Sequence, residues 1–300
     1  MSECRRLPGR RARYWVALVW ACAGCLKPDP AAATASDAAI EAPAPAASTV
    51  AFGAQPPLRT YRERWESRLT LPVSNTQSVL TLERGSALID ITLEPRSATV
   101  HFERVEKAEG PPDRAVTGVD PISDQRFSIS GAQGLLATTV LQGKTVAPEA
   151  PARRARERVF DAFEPDPFSQ GLHQGPVAGG RPRPDLATAF VHGFAARDAV
   201  RGGPPLRAQS AALSLKAFNG DVAVFDVSAV FTSADPAMTM RATLEGELVV
   251  DQRSGQLLRQ KLSGPIELSA AGQTSTTSGQ WAETLSREPL AESDPHSPTR

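Results

Sequence analysis

Downstream of residue 58, apolar and polar residues alternate with period two in one segment after another. In 86–94, Ile89, Ile91 and Leu93 share one side, with Leu88, Asp90 and Thr92 on the other. In 98–106, Ala98, Val100 and Phe102 line one face; in 221–231, Ala223, Phe225, Val227, Ala229 and Phe231 do the same. The longest case is 237–251, where Met238, Met240, Ala242, Leu244, Leu248 and Val250 stand opposite Thr239, Arg241, Thr243, Glu245 and Glu247. A helix would scatter these side chains around its circumference, whereas a strand gathers them. One dry face and one wet face predict antiparallel sheet.

Short glycine-containing stretches, Glu83-Arg84-Gly85-Ser86 and Asp251-Gln252-Arg253-Ser254-Gly255, each separate two strand-like runs and read as β-hairpin turns. Residues 249–268 then form a meander, and 274–284, Ser/Thr-rich around Trp281, a last strand. Tyr61, Trp65 and Leu69 share a face in either a helix or a strand; Thr60, Thr70 and Pro72 favour the strand. The middle of the chain is broken by proline and glycine. It keeps two helical stretches, 152–163 with Val159, Phe160 and Phe163, and 185–200 with Leu186, Phe190, Val191 and Phe194 on one stripe. The expected body, 58–287, is mainly β (α+β): an antiparallel twisted sheet or half-open barrel. It is built from two β-rich halves, 58–148 and 206–287, with one or two short helices in the Pro-rich connector 149–205. The pattern leaves open whether the halves share one sheet or form two lobes. Residues 288–300 read as a disordered tail.

The N-terminus has a different grammar. Arg5, Arg6, Arg10, Arg11 and Arg13 precede an apolar run of 11 residues, 14–24, and then Ala23-Gly24-Cys25. As a helix that run covers about 16 Å, too short for a hydrocarbon core of about 30 Å. A charged start, a short apolar core and small residues before a cleavage point are the layout of a secretory signal peptide, 1–24. The Ala-Gly-Cys ending resembles the lipobox of bacterial lipoproteins, although Cys22 stands where that family favours Leu. The resemblance implies lipidation of Cys25 and a membrane anchor through it; the residues alone also admit a plain signal peptide or an uncut short anchor. Leu26 after the cysteine implies an outer-membrane rather than inner-membrane address in the cell envelope. Residues 25–57 follow as an Ala/Pro-rich tether with little large apolar surface.

Composition narrows the chemistry. All three cysteines, Cys4, Cys22 and Cys25, lie in the first 25 residues, so the body has neither a disulfide nor a thiolate site. Without residues 1–24 the chain holds 28 basic and 32 acidic residues, a net charge of −4. A mildly acidic chain without a basic cluster argues against a nucleic-acid partner. His101, His173, His192 and His296 lie far apart in sequence and read as surface residues, and no nucleophile elbow, phosphate loop or metal motif appears. No enzyme activity, cofactor or metal is expected. Asp161, Glu164 and Asp166 form an acidic knot near Phe160, Phe163 and Phe168, read as a helix end running into a loop. Arg153, Arg154, Arg156 and Arg158 form a basic helix face, read as solvated.

In outline, hairpin-linked strands with helices in a connector resemble envelope carriers of the lipoprotein-carrier type, which cup an acyl chain between a half-open barrel and helical lids. That likeness implies a non-catalytic binding domain for an apolar ligand, with Phe225, Phe231, Met238 and Met240 as its ligand-facing candidates. The competing expectation is a structural or assembly scaffold that binds other envelope proteins. A carrier needs a sizeable cavity, whereas a scaffold can be packed solid.

Overall fold

The computed structural model describes residues 49–74, 77–93, 96–131, 138–141, 146–163, 166–201, 205–234, 238–270 and 276–290. Cys25, the remainder of the tether up to residue 48, Glu164 and His296 lie outside the described residues. Wherever the two-residue alternation is clean, a strand forms. The first half of the chain supplies β1 (Thr49–Val50), β2 (Thr60–Ser74), β3 (Gln77–Thr92), β4 (Ser97–Gly110), β5 (Val116–Val119), β6 (Arg126–Ser130) and β7 (Thr138–Leu141). The connector carries α1 (Glu149–Arg158), α2 (Phe160–Phe163), α3 (Pro167–Leu172), β8 (Val177–Ala178) and α4 (Pro184–Arg201). The second half supplies β9 (Leu206–Phe218), β10 (Val222–Ala234), β11 (Met238–Asp251), β12 (Leu257–Ala270) and β13 (Thr277–Pro289).

Eleven of these strands make one antiparallel sheet that does not close into a barrel, in the order β7-β6-β4-β3-β2-β13-β12-β11-β10-β9, with β5 beside β4. The question of one sheet or two lobes is thereby answered. β13 pairs with β2 from Tyr61↔Pro289 to Thr70↔Gln280, and both halves of the chain meet at this central seam. The chain starts at the seam, walks out to β7, crosses to the opposite edge at β9 and walks back. This path forces the connector over one face of the sheet.

That inner face carries the apolar side chains, in two clusters. One joins β2, β3, β4 and β6 to α1 and α2 through Tyr61, Trp65, Ile89, Val100, Phe102, Phe127, Ala155 and Val159. The other joins β9 to β12 to α3 and α4 through Leu172, Leu186, Phe190, Leu215, Phe225, Phe231, Leu244 and Leu248. Residues ahead of the expected boundary at 58 already belong to the fold: Val50 is buried and β1 pairs with β8.

One turn expected from the sequence is absent. β3 runs straight through Glu83-Arg84-Gly85-Ser86, and Gly85 sits opposite Trp65 in mid-strand. A Cβ there would lie 2.5 Å from the Trp65 ring, so the glycine is a bed for an indole. The other expected turn, 251–255, does connect β11 to β12. α3 was not anticipated. Asp166 caps it, accepting from the amides of Phe168 (3.1 Å) and Ser169 (3.3 Å), and Pro167 occupies its first turn.

Candidate functional site

The sequence stripes deliver two features to the inner face, one charged and one aromatic. The charged feature lies over the seam. Glu63 of β2, 1% exposed, accepts from Arg158 of α1 at 3.1 Å and from Arg287 of β13 at 3.0 Å. Arg287 also donates to Asp161 of α2 at 2.8 Å, and Arg197 of α4 donates to both Asp161 oxygens at 2.7 Å. Arg158 pairs in addition with its neighbour Glu157. Its guanidinium carbon lies 4.2 Å from the centre of the Trp65 ring, and that of Arg287 lies 5.6 Å from the Tyr61 ring. These are cation–π contacts in a largely desolvated setting. Three helices are thus bound by charge to the two strands of the seam.

The electrostatics follow from this crowding. Burial alone would raise the Asp161 carboxyl, yet Arg197 and Arg287 together hold it well below the ordinary range. Burial pushes the Tyr61 hydroxyl far up. Burial and the Asp161 charge push Asp166 up, against the pull of Arg197 and its two amide donors. A second polar tie lies further along α1. Arg154 donates to Glu83 at 2.8 Å and to Asp120 at 2.9 Å, and Lys107 reaches Asp120 at 2.9 Å. Burial opposes ionisation of Asp120, but Lys107, the Ile122 amide and Arg154 bring its carboxyl down to about 2.

The arginine face expected to be solvated is therefore a clamp. Arg158 is 4% exposed, and Arg154 and Arg156 are paired with carboxylates. The two described members of the acidic knot stay within electrostatic reach of each other but have separate partners, Asp161 in the clamp and Asp166 as a helix cap. Beside the clamp lies a cavity of about 10 Å³, bordered by Trp65, Glu157, Arg197 and Leu285, with room for about one water molecule.

The aromatic feature runs between the helices and the second half of the sheet. Phe52 stacks on Phe225 (centroids 6.2 Å apart, planes at 24°), and Phe225 meets Phe168 edge-on at 6.1 Å. Phe168 meets Phe190 at 5.9 Å, Phe190 meets Phe194 at 6.2 Å, and Phe194 meets Phe231 at 5.0 Å and Trp281 at 6.1 Å. All these separations lie in the favourable range for aromatic pairs. The row is continuous from the 251–256 turn to Trp281 of β13, which is only partly buried.

The four ligand-facing candidates fall along this row in two groups. Phe225 and Phe231 are fully buried and packed against rings of α3, α4 and residue 52. Met238 and Met240 face inward at the far end and are half-buried, with Met240 and Leu268 packed against the cluster rim. His101 is half-buried on β4, while His173 and His192 are exposed on or beside α3 and α4. Among the described residues, no group of three or more His, Asp or Glu is arranged to hold a metal ion, and no helix is long and apolar enough to cross a membrane. No protein-family model matches the chain, and a search of characterised proteins returns no match.

Proposed function

We propose that this chain is a membrane-anchored envelope lipoprotein, held through Cys25, whose sheet-and-helix body is a non-catalytic binding domain for an apolar ligand. One observation carries the reading: the layer joining α3 and α4 to the sheet is a continuous row of aromatic rings, Phe52 to Trp281, on one face of an unclosed sheet. Each ring pair is worth only about 0.5–1.5 kcal/mol beyond its burial, so a layer held ring to ring parts to admit a chain-like molecule at lower cost than a buried ion cluster. The Arg197–Asp161 ion pair gives α4 one fixed point about which the ring contacts can part. The clamp over the seam meanwhile holds α1 and α2 in place.

The scaffold reading draws support from different features. The interior is filled by Phe225 and Phe231, and the edge strand β5 exposes Val116 (77%) and Val119 (61%), as a surface for a protein partner would.

One experiment separates the two. The chain is purified from the envelope of an expressing bacterium, and its mass is taken by native mass spectrometry before and after solvent extraction. A chain starting at Cys25 with a lipid-sized N-terminal addition, plus one apolar molecule released by solvent, is the expected result. A lipid-modified chain with nothing released, recovered together with a second protein, favours the scaffold. An unmodified N-terminus overturns the anchor.

A further inference from the structure

Asparagine followed by glycine occurs once in the chain, at Asn219-Gly220, and the pair opens the turn between β9 and β10. Both residues are exposed. Gly220 stands at φ +95°, a conformation that side chains disfavour, and the space where a Cβ would stand is open to 4 Å. The Asn219 side chain folds back over its own turn. Its Oδ1 accepts from the amide of Asp221 at 3.2 Å and from that of Val222 at 3.0 Å. Asn219 N–H donates to Val222 O at 3.3 Å, whereas no hydrogen bond among the described residues engages the Gly220 amide. The turn is also joined to the 251–255 turn: Gln252 N–H donates to Asp221 O at 2.8 Å, and Arg253 lies 3.4 Å from the Asp221 carboxylate. Gln252 O and Arg253 O in their turn accept the amides of Gly53 and Gln55, each at 2.9 Å.

We propose that Asn219 is a self-modifying site, at which the folded turn itself promotes closure to a succinimide and opening to aspartate and isoaspartate. The inference is independent of the apolar-ligand reading. The reaction needs a nucleophile, an electrophile and a place for the developing charge. The Gly220 nitrogen is the nucleophile: it is not hydrogen-bonded, has no side chain beside it and is open to water, which takes its proton. The electrophile is Cγ of Asn219. As the nitrogen bonds to Cγ, negative charge moves onto Oδ1, the atom to which the Asp221 and Val222 amides already donate. Donors set in advance on the oxygen that becomes charged lower the barrier. The tetrahedral carbon then expels the side-chain nitrogen as ammonia, which takes up a proton from water, and the ring is complete. Water opens it. Cleavage of the bond from the Gly220 nitrogen to Cγ leaves aspartate, and cleavage of its bond to the Asn219 main-chain carbonyl leaves isoaspartate. Aspartate adds a charge and keeps the backbone length. Isoaspartate lengthens the backbone by one carbon, which carries Asp221 out of register with Gln252 and loosens residues 49–58 behind it.

The test incubates the full chain in mildly alkaline buffer, one sample folded and one unfolded in urea. Peptides are mapped by mass spectrometry with electron-transfer fragmentation, which separates isoaspartate from aspartate. The expected result is loss of ammonia and then gain of water at Asn219, no slower in the folded chain than in urea, with Asn75, which precedes Thr76, unchanged over the same period. Gly220→Ala, whose Cβ crowds the attacking nitrogen, is expected to slow the conversion at least about tenfold. Hydrogen exchange at the Gln252 and Gly53 amides is expected to be faster in the isoaspartate product than in Asn219→Asp, which carries the new charge without the longer backbone. Conversion slower in the folded chain than in urea overturns the proposal, because the fold then protects the turn. Equal exchange in the isoaspartate product and Asn219→Asp overturns the link from this turn to residues 49–58.

Discussion

At Glu63, guanidiniums from α1 and β13 converge on one carboxylate that water scarcely reaches. Such a pair of ion contacts is not a large net gain, because each charge has been stripped of its hydration. Breaking it is costly, because the survivors stay buried and unpaired. Glu63→Ala is therefore expected to lower unfolding free energy by about 3–5 kcal/mol, read from the urea midpoint, and Glu63→Gln by less, since the amide oxygen still accepts. An unchanged midpoint in Glu63→Ala would show that the cluster does not hold the helices down. The sequence displayed the arginine run of α1 but not its partners. Glu63, Asp161, Arg197 and Arg287 are scattered over the chain, and only the closed seam brings them together.

Among the elements, β3 is instructive. Gly85 read as a turn because glycine between two apolar runs usually is one, yet the strand runs on through it while the apolar positions change phase, from Leu80 and Leu82 before it to Ala87, Ile89 and Ile91 after it. What the glycine serves is an indole on the neighbouring strand, and that partner becomes visible only once β2 and β3 are in register. Gly85→Val is expected to displace the Trp65 ring, which also meets Phe102 edge-on at 6.0 Å. The cost is about 1–3 kcal/mol, seen as a lower melting temperature together with an altered near-UV circular dichroism band. A native-like near-UV spectrum with full stability would refute the ring-bed account. α4 was legible from its apolar stripe, and α3 was within reach: Asp166-Pro167 is an N-cap followed by proline at the first helical position. The docking of residues 49–58 was not legible, since a short uncharged Ala/Pro stretch gives no sign of the turn it will lie against.

For the whole molecule, acid should expose the balance of these charges. Asp120 and Asp161 titrate in the native state below their unfolded values, so the stability they contribute is present above about pH 4 and is lost as pH falls through their native values. Asp166 has the opposite sign: its native value is raised, so protonating it on the way down favours the native state. Unfolding free energy is expected to hold or rise slightly on mild acidification and then fall steeply between about pH 4 and pH 2, as measured by urea titrations at successive pH values. Removing the raised group with Asp166→Asn, which keeps an oxygen for the α3 amides, should abolish the rise and leave the fall. A curve flat down to pH 2 would contradict the assignment. The antiparallel class was legible because alternation is local. The single sheet was not, because the pairing of β13 with β2 is a contact between residues as far apart as Arg64 and Glu288, separated by 224 positions.

That seam also has a consequence in time. At roughly 5–20 residues per second, a ribosome needs on the order of 10–45 s to make the stretch between β2 and its central partner. Throughout that interval a nascent chain would display a long strand with one bare side, an invitation to mispair with its neighbours. A polypeptide escapes the problem only when β2 is kept from pairing until β13 has been made. The topology suits a protein that is completed first and folded afterwards.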